Sequence, residues 1–290
     1  MIALIGLIIV VVAVLGGFTL AGGHVAALLV PAEYLVICGV AVGSTLAGTP
    51  RNTLVAIVAK LKQVLSGNRF TPQLYLDGLR LLYELFQLAR RDGLVALEAH
   101  IEEPEKSAVF KRYPAVLAHH HSVDFLCDSL RLVLLGSVPP HDLEALMADE
   151  IEVHHENEAK PVEALTKTAD ALPGIGIVAA VLGIVVTMAA IGGDIGEIGK
   201  HVASALVGTF LGILLSYGFM APIASSIENL NAAEVRYYHF LKESVVAFAK
   251  GFAPIVAVEF GRRAIFADDR PTFEAMEQAC KSTRKEKDKA

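Results

Sequence analysis

The stretch ALPGIGIVAAVLGIVVTMAAIGG, Ala171–Gly193, contains no Asp, Glu, Lys or Arg. Roughly 20 apolar residues suffice to cross a bilayer, so this run alone is long enough. Working outward, His201–Ile227 is equally free of charge, and so is Met1–Ala32; only Glu33 interrupts the path from the N-terminus to Arg51. The whole chain of 290 residues is 54% hydrophobic and 19% charged, where a soluble chain carries about 25% charged residues. The polar surface that water requires is missing. These runs imply an all-α, polytopic membrane protein with four transmembrane helices. The spans are expected at Ile2–Leu20, Pro31–Leu46, Leu172–Ile191 and Val202–Ile223. A signal-peptide reading of the first span is disfavoured, because no Lys or Arg precedes it and no cleavage pattern follows.

Basic residues set the orientation. Of 25 Lys and Arg, 13 lie in Arg51–Lys167 and 11 follow the fourth span, leaving Lys200 in a short loop. Those nearest the spans, Arg51, Lys60, Lys62, Lys160, Lys167 and Arg236, place both large segments and both termini in the cytoplasm. The chain then divides into a transmembrane hairpin (1–48), a large helical cytoplasmic domain (49–170), a second hairpin (171–224), and a cytoplasmic helix with a C-terminal tail (225–290). The turn between spans three and four is Gly192–Lys200. A net charge of −6 gives no electrostatic case for nucleic acid. Three distant cysteines, Cys38, Cys127 and Cys280, form no CxxC pair and read as reduced thiols.

The cytoplasmic segments read as helices. In Pro72–Arg91, Leu79, Leu82, Leu85, Phe86 and Ala89 fall near a helical period, Thr71 is placed to cap, and Gly93 ends the run. Ser107–Gly136 supplies a second helical run, divided near Pro114, and Pro139–Pro140 is a break. His141–Glu163, with eight acids against one lysine, is a solvated helix. Asn229–Phe252 continues as helix to Pro254, and Lys281–Ala290 is expected to be a tail without structure.

Candidate chemistry is sparse. Gly174, Gly176 and Ala179 match the GxGxxA dinucleotide fingerprint, but no strand precedes them and the motif lies in an uncharged span, so helix packing is the better reading. His119-His120-His121 and Glu152–His155 invite a metal. A di-iron bundle needs two Glu-x-x-His motifs with two further carboxylates, and only one is present, so no metal is expected. Catalytic signatures of the hydrolase, Walker and zincin types are lacking, so no enzyme and no cofactor is expected. Small residues say more. Ser204, Gly208, Gly212 and Ser216 recur every four residues in span four, and Gly176, Ala179, Gly183 and Thr187 make a similar stripe in span three. Such stripes let backbones approach in lipid, either within this chain or around another protein's helix; spacing leaves the two equal. Proton relays need ionisable groups in the bilayer, and spans three and four offer none. Glu33, at the outer end of span two, reads as an interfacial charge, so a second subunit is expected to supply the ion carrier.

The sequence LVGTFLGILLSYGF, Leu206–Phe219, followed by Pro222, resembles the fourth span of the MotA family of flagellar-motor stator subunits. Pro31 and Glu33 opening span two, Pro173 opening span three, and APIVAVEFGR (Ala253–Arg262) extend the resemblance, which runs from Met1 to about Phe273. It implies a bacterial inner-membrane complex of five such chains around two copies of MotB, each contributing one helix with the ion-binding aspartate. Ion flow would turn the homopentamer, whose cytoplasmic lobes would push the rotor protein FliG. Membrane lipid would be its other partner.

Residue by residue, the resemblance assigns Arg90 and Glu98 to the rotor face, and Glu150 more weakly. It assigns Pro173 and Pro222 to coupling ion occupancy to lobe movement, and Thr209 to a hydroxyl facing the partner helix. Arg91 beside Arg90 departs from the family, leaving open how the positive charge is shared, and the His119–His121 run receives no role. Sodium-driven relatives carry Thr seven residues after the proline of span three; here that position is Ala180, whose methyl group ligates nothing, so the transported ion is expected to be a proton. The rival from the same superfamily, an ExbB/TolQ energiser of outer-membrane processes, has typically three spans. A membrane scaffold without ion coupling is the rival from another class.

Overall fold

The structure is a computed structural model that describes residues 2–66, 70–189 and 195–287. Outside the described residues lie the last two positions expected for span three, residues 192–194 of the second turn, and residues 288–290 of the expected tail. Every regular element among the described residues is helical. Among the described residues, four helices are long and apolar enough to cross a membrane. They contain α1 (Ile2–Leu20), α2 (Pro31–Gly48), α8 (Pro140–Ala189) and α9 (Ile195–Ile213), at the four places the charge-free runs mark.

Contacts divide the chain into two units. The first holds residues 1–67 and 158–230, that is α1, α2, α3 (Arg51–Ser66), the second part of α8, and α9. The second holds residues 68–157 and 231–290, with α4 (Pro72–Asp92), α5 (Glu98–Ile101), α6 (Pro114–Leu117), α7 (His120–Leu135), α11 (Pro254–Ala264) and α12 (Phe273–Lys287). Residues of α10 (Ala221–Ala249) belong to both.

The second unit follows ordinary hydrophobic logic. Thr71 caps α4 by accepting from the Leu74 N–H at 3.3 Å, and Pro72 begins the helix where no donor is needed. Leu79, Leu82, Leu85 and Phe86 are fully buried, each contributing about 1.5–3 kcal/mol by leaving water. Gly93 ends α4 with φ +89°, and Gly136 ends α7 in the left-handed region that glycine adopts without strain. The divided run near Pro114 becomes a 3-10 turn (Phe110–Arg112), α6 and α7. Glu84, buried in this core, is held by Arg112 and by the Tyr113 hydroxyl, which donates at 2.6 Å.

Two expectations are corrected. Residues 281–287 are not an unstructured tail: α12 runs to Lys287. Met276, Ala279 and Cys280 recur at helical spacing and are buried, which draws the helix down, and Lys281 pairs with Glu277 at 2.8 Å. Nor is His141–Glu163 wholly a solvated helix: Leu143, Met147 and Ile151 bury one face of it in the core of the second unit. It is continuous with span three in the 50-residue α8, which contains Pro161 and Pro173 without a break. A proline inside a helix forfeits one hydrogen bond and crowds the preceding turn, but a chain with long α-helical flanks on both sides retains every other bond.

Span four is interrupted differently. Leu214–Met220 forms a π-helical turn between α9 and α10, in which the Ala221 N–H reaches back five residues to the Ser216 carbonyl. Pro222, which has no N–H to give, follows at once. Wide turns of this kind are rare and concentrate at functional positions.

Candidate functional site

The small-residue stripes meet each other within the chain. A Cβ added at Gly212 would stand 2.6 Å from the Leu172 carbonyl oxygen and 2.8 Å from the Gly176 Cα; one at Gly176 would stand 2.9 Å from the Gly208 oxygen. At Gly183 it would lie 3.0 Å from the Ala205 Cβ, and at Gly208 3.2 Å from that of Ala179. Spans three and four therefore touch backbone to backbone, with no room for a methyl group. Apolar burial gives helices in lipid no drive to associate, so close van der Waals contact takes over. Of the two readings of the stripes, packing within this chain is the one these glycines adopt. Thr187 is buried and donates to the Gly183 carbonyl at 2.8 Å, Ser216 is buried with an unpartnered Oγ, and Ser204 is half-buried. The faces left exposed are branched and apolar: Ile177, Val181, Ile184 and Val185 on α8, and Val202, Leu206 and Ile213 on α9.

Glu33 overturns its interfacial reading. Only 5% of it is exposed. Its carboxyl lies over the glycines, so that a methyl group on Gly208 would collide with Oε2 and one on Gly183 would come within 3.3 Å of Oε1. Ile37 and Ala41 follow it on the buried face of α2. Spacing along the sequence gives Glu33 a depth near the membrane surface but cannot give the direction of its side chain.

The coupling candidates are strung along the same pair of helices. Ala180 and Thr209 are half-buried and adjoin Ala179 and Gly208 of the contact, Pro173 is half-buried within α8, and Pro222 is exposed beyond the π turn, its carbonyl accepting from the Ser226 hydroxyl at 2.9 Å. Two polar contacts that α8 makes on the N-terminal side of Pro173 escaped sequence reasoning. The Thr45 and Thr168 hydroxyls meet at 2.7 Å, and Lys60 of α3 pairs with Glu158 of α8. Neither pair has a sequence signal, since 123 residues separate the two threonines.

In the second unit, Arg90 is exposed in the last turn of α4, and its Nη1 donates to the Phe252 carbonyl at 3.5 Å. Arg91 forks onto Asp92, with contacts of 2.8 and 2.7 Å. The adjacent arginines therefore differ: the charge of Arg91 is matched by its neighbour, and Arg90 is held out by a backbone oxygen. Glu98, exposed, opens α5 after the 3-10 turn Leu94–Leu97. Glu150 is exposed on α8, yet partial desolvation, reinforced by Asp128 and opposed by His154, holds its carboxyl above the ordinary range. Its electrostatic neighbours are thus those two groups rather than Arg90 or Glu98. In the histidine run, His119 packs its ring on Phe70 with centroids 4.9 Å apart, while His120 and His121 are exposed. Among the described residues no group of three potential metal ligands converges. Burial pushes the Cys127 and Cys280 thiols up to about 12 and leaves them unreactive.

Residues 4–93 match the model of the motility protein A N-terminal region, and residues 118–239 match that of the MotA/TolQ/ExbB proton channel family. Motility protein A of Salmonella typhimurium is 36% identical over 284 residues, covering 98% of this chain and 96% of that protein. Chemotaxis protein LafT of Vibrio parahaemolyticus is 38% identical over 274 residues, covering 94% and 96%. The flagellar MotAB stator complex from Bacillus subtilis contains a chain that superposes with a TM-score of 0.75 at 25% identity, covering 92% and 96%. The chain belongs to the MotA family of stator subunits, within the MotA/TolQ/ExbB proton channel family.

Proposed function

We propose that this chain, with a MotB-type partner carrying an ion-binding aspartate, couples inward proton flow to torque on the rotor protein FliG. Five copies surround a partner dimer in the bacterial inner membrane, both termini are cytoplasmic, and lipid contacts the rest of the apolar surface. The observation that carries this reading is the closed α8–α9 pair. Its glycines are spent on each other, and its exposed face offers branched apolar side chains, with no Asp or Glu in Ala171–Gly193 or His201–Ile227, so an ion moving along that face needs a carrier from another protein. Ala180 supplies a methyl group where a sodium cage would need oxygen ligands, which favours the proton. The motor role makes the chain a transducer rather than an enzyme.

Two measurements test the proposal. Liposomes holding the chain alone should pass no protons, and liposomes holding it with a co-expressed partner should; equal flux without the partner contradicts it. Arg90→Glu should impair swimming while membrane level and intact complex mass stay normal. Normal torque in the Arg90→Glu, Glu98→Lys double variant, at normal stator number, removes these residues from the rotor face.

A further inference from the structure

A cavity of about 280 Å³ lies at the hairpin end of the first unit, where α2 and α9 begin and α8 ends. Glu33, Gly183, His201 and Ser204 line it together with apolar side chains of α2 and α8. At about 30 Å³ per molecule, that volume holds several waters. Glu33 is 95% withdrawn from solvent by its 5% exposure, and its Oε2 has no hydrogen-bond partner. A bare carboxylate oxygen in such surroundings is costly unless it takes a proton or a cation. The glycines beside it leave that oxygen the space it occupies. His201 is the other titratable group on the cavity wall; α8 contributes none there, and Glu197 and Lys200, further toward the start of α9, pair with each other at 2.7 Å.

We propose that Glu33 is a proton-loading site belonging to this chain itself, resting on the proton-transport reading above. Hydronium in the cavity gives its proton to Glu33 Oε2 and becomes water; the carboxylic acid then releases the proton to a water further along the path, restoring the carboxylate. The two carboxylate oxygens and the Ser204 hydroxyl are too few to replace the hydration of a sodium ion, whereas a proton needs one basic oxygen and a water path. Glu33 is distinct from the partner's aspartate: it collects protons, and no torque is assigned to it.

The test is Glu33→Gln in the complete complex, read by motor speed near zero load across external pH, with stator number and stall torque as controls. In alkaline medium, speed should fall by about twofold or more, a small part of the roughly 100-fold a positioned proton-transfer group can supply, because water in the cavity still conducts. The deficit should shrink in acid medium, and Glu33→Asp should restore most of the speed. Speed equal to the parent at every external pH, with normal assembly, overturns the proposal. If Glu33→Gln fails to assemble, infrared difference spectra decide on the parent chain with a partner whose aspartate is replaced by Asn. A carboxylic-acid band that responds to external pH and shifts in heavy water supports the site, and its absence overturns it. A parent complex that passes no protons would instead refute the transport reading.

Discussion

The two units solve the packing problem with opposite materials. In the second, Phe86 stacks on Phe248 with ring centroids 4.3 Å apart, and Tyr75, Tyr237 and Phe240 interlock at 5.3 to 5.6 Å. In the first, Gly176 and Gly212 meet with nothing between them. Water rewards the removal of large apolar surface, so a core exposed to water during folding is built from Phe, Tyr and Leu. Lipid tails are as apolar as any side chain, so large residues gain nothing by turning inward and remain outside, as Ile184 and Val185 do. Size is an asset in one unit and an obstacle in the other.

Alanine substitution breaks or sharpens this contrast, since it removes bulk in one place and adds it in the other. The largest effect is expected at Phe86→Ala, which deletes a fully buried ring and leaves a cavity at a cost of about 3–5 kcal/mol. Hydrogen exchange on the full chain should show faster opening of α4 and α10; unchanged protection there would show that the unit does not depend on this core. Next is Gly212→Ala, where the single methyl is directed at the Leu172 carbonyl and must separate α8 from α9, at about 1–3 kcal/mol. Its control is Gly174→Ala, two residues from both Leu172 and Gly176 on α8, where nothing lies within 4 Å of the added atom. There the substitution should be neutral or stabilising by up to about 1 kcal/mol through helix propensity. Equal thermal midpoints for the two variants in detergent would end the claim that backbone contact holds the spans.

What was legible in the sequence follows the same division. Absence of charge, broken only by Glu33 in span two, marks the four spans, because the bilayer penalises exceptions. The period of Leu79, Leu82 and Phe86 marks the buried side of α4, and Thr71–Pro72 marks its start. The four-residue spacing of Gly208 and Gly212 announced a close contact but not its partner, because a stripe has no address until a second helix is placed beside it. Three features stayed hidden for related reasons. Glu33 has a depth in the sequence but no direction. Pro173 reads as the opening of span three, yet α8 runs through it from Pro140. The π turn at Leu214–Met220 differs from α-helix by one residue of register, to which apolar periodicity is blind in an all-apolar run. Of the candidate site, the sequence places Arg90 and Glu98 among exposed residues, and the different surroundings of Arg90 and Arg91 appear only with the Asp92 contact.

The smallest expected effect, at Glu150, separates stability from use within the second unit. Partial desolvation and the proximity of Asp128 hold its carboxyl above the usual value of about 4.5. Between that value and the higher folded one, the folded chain binds more protons than the unfolded chain. Stability therefore falls as pH rises through this window, and the penalty remains in full at neutral pH. Glu150→Gln removes the charge while keeping the shape, so the variant should be more stable at pH 7. Because the side chain is exposed and screened, the gain should be only a few tenths of a kcal/mol. It should vanish as pH drops below about 4.5, where the carboxyl is protonated in both states. Thermal midpoints of parent and variant across pH check the sign; a variant less stable at pH 7 would mean that Glu150 has an attractive partner in the fold. If the variant is more stable and also loses torque, the charge is kept at the expense of stability, as residues serving a partner often are. If it is more stable and swims normally, Glu150 leaves the rotor-facing set, and Arg90 and Glu98 remain.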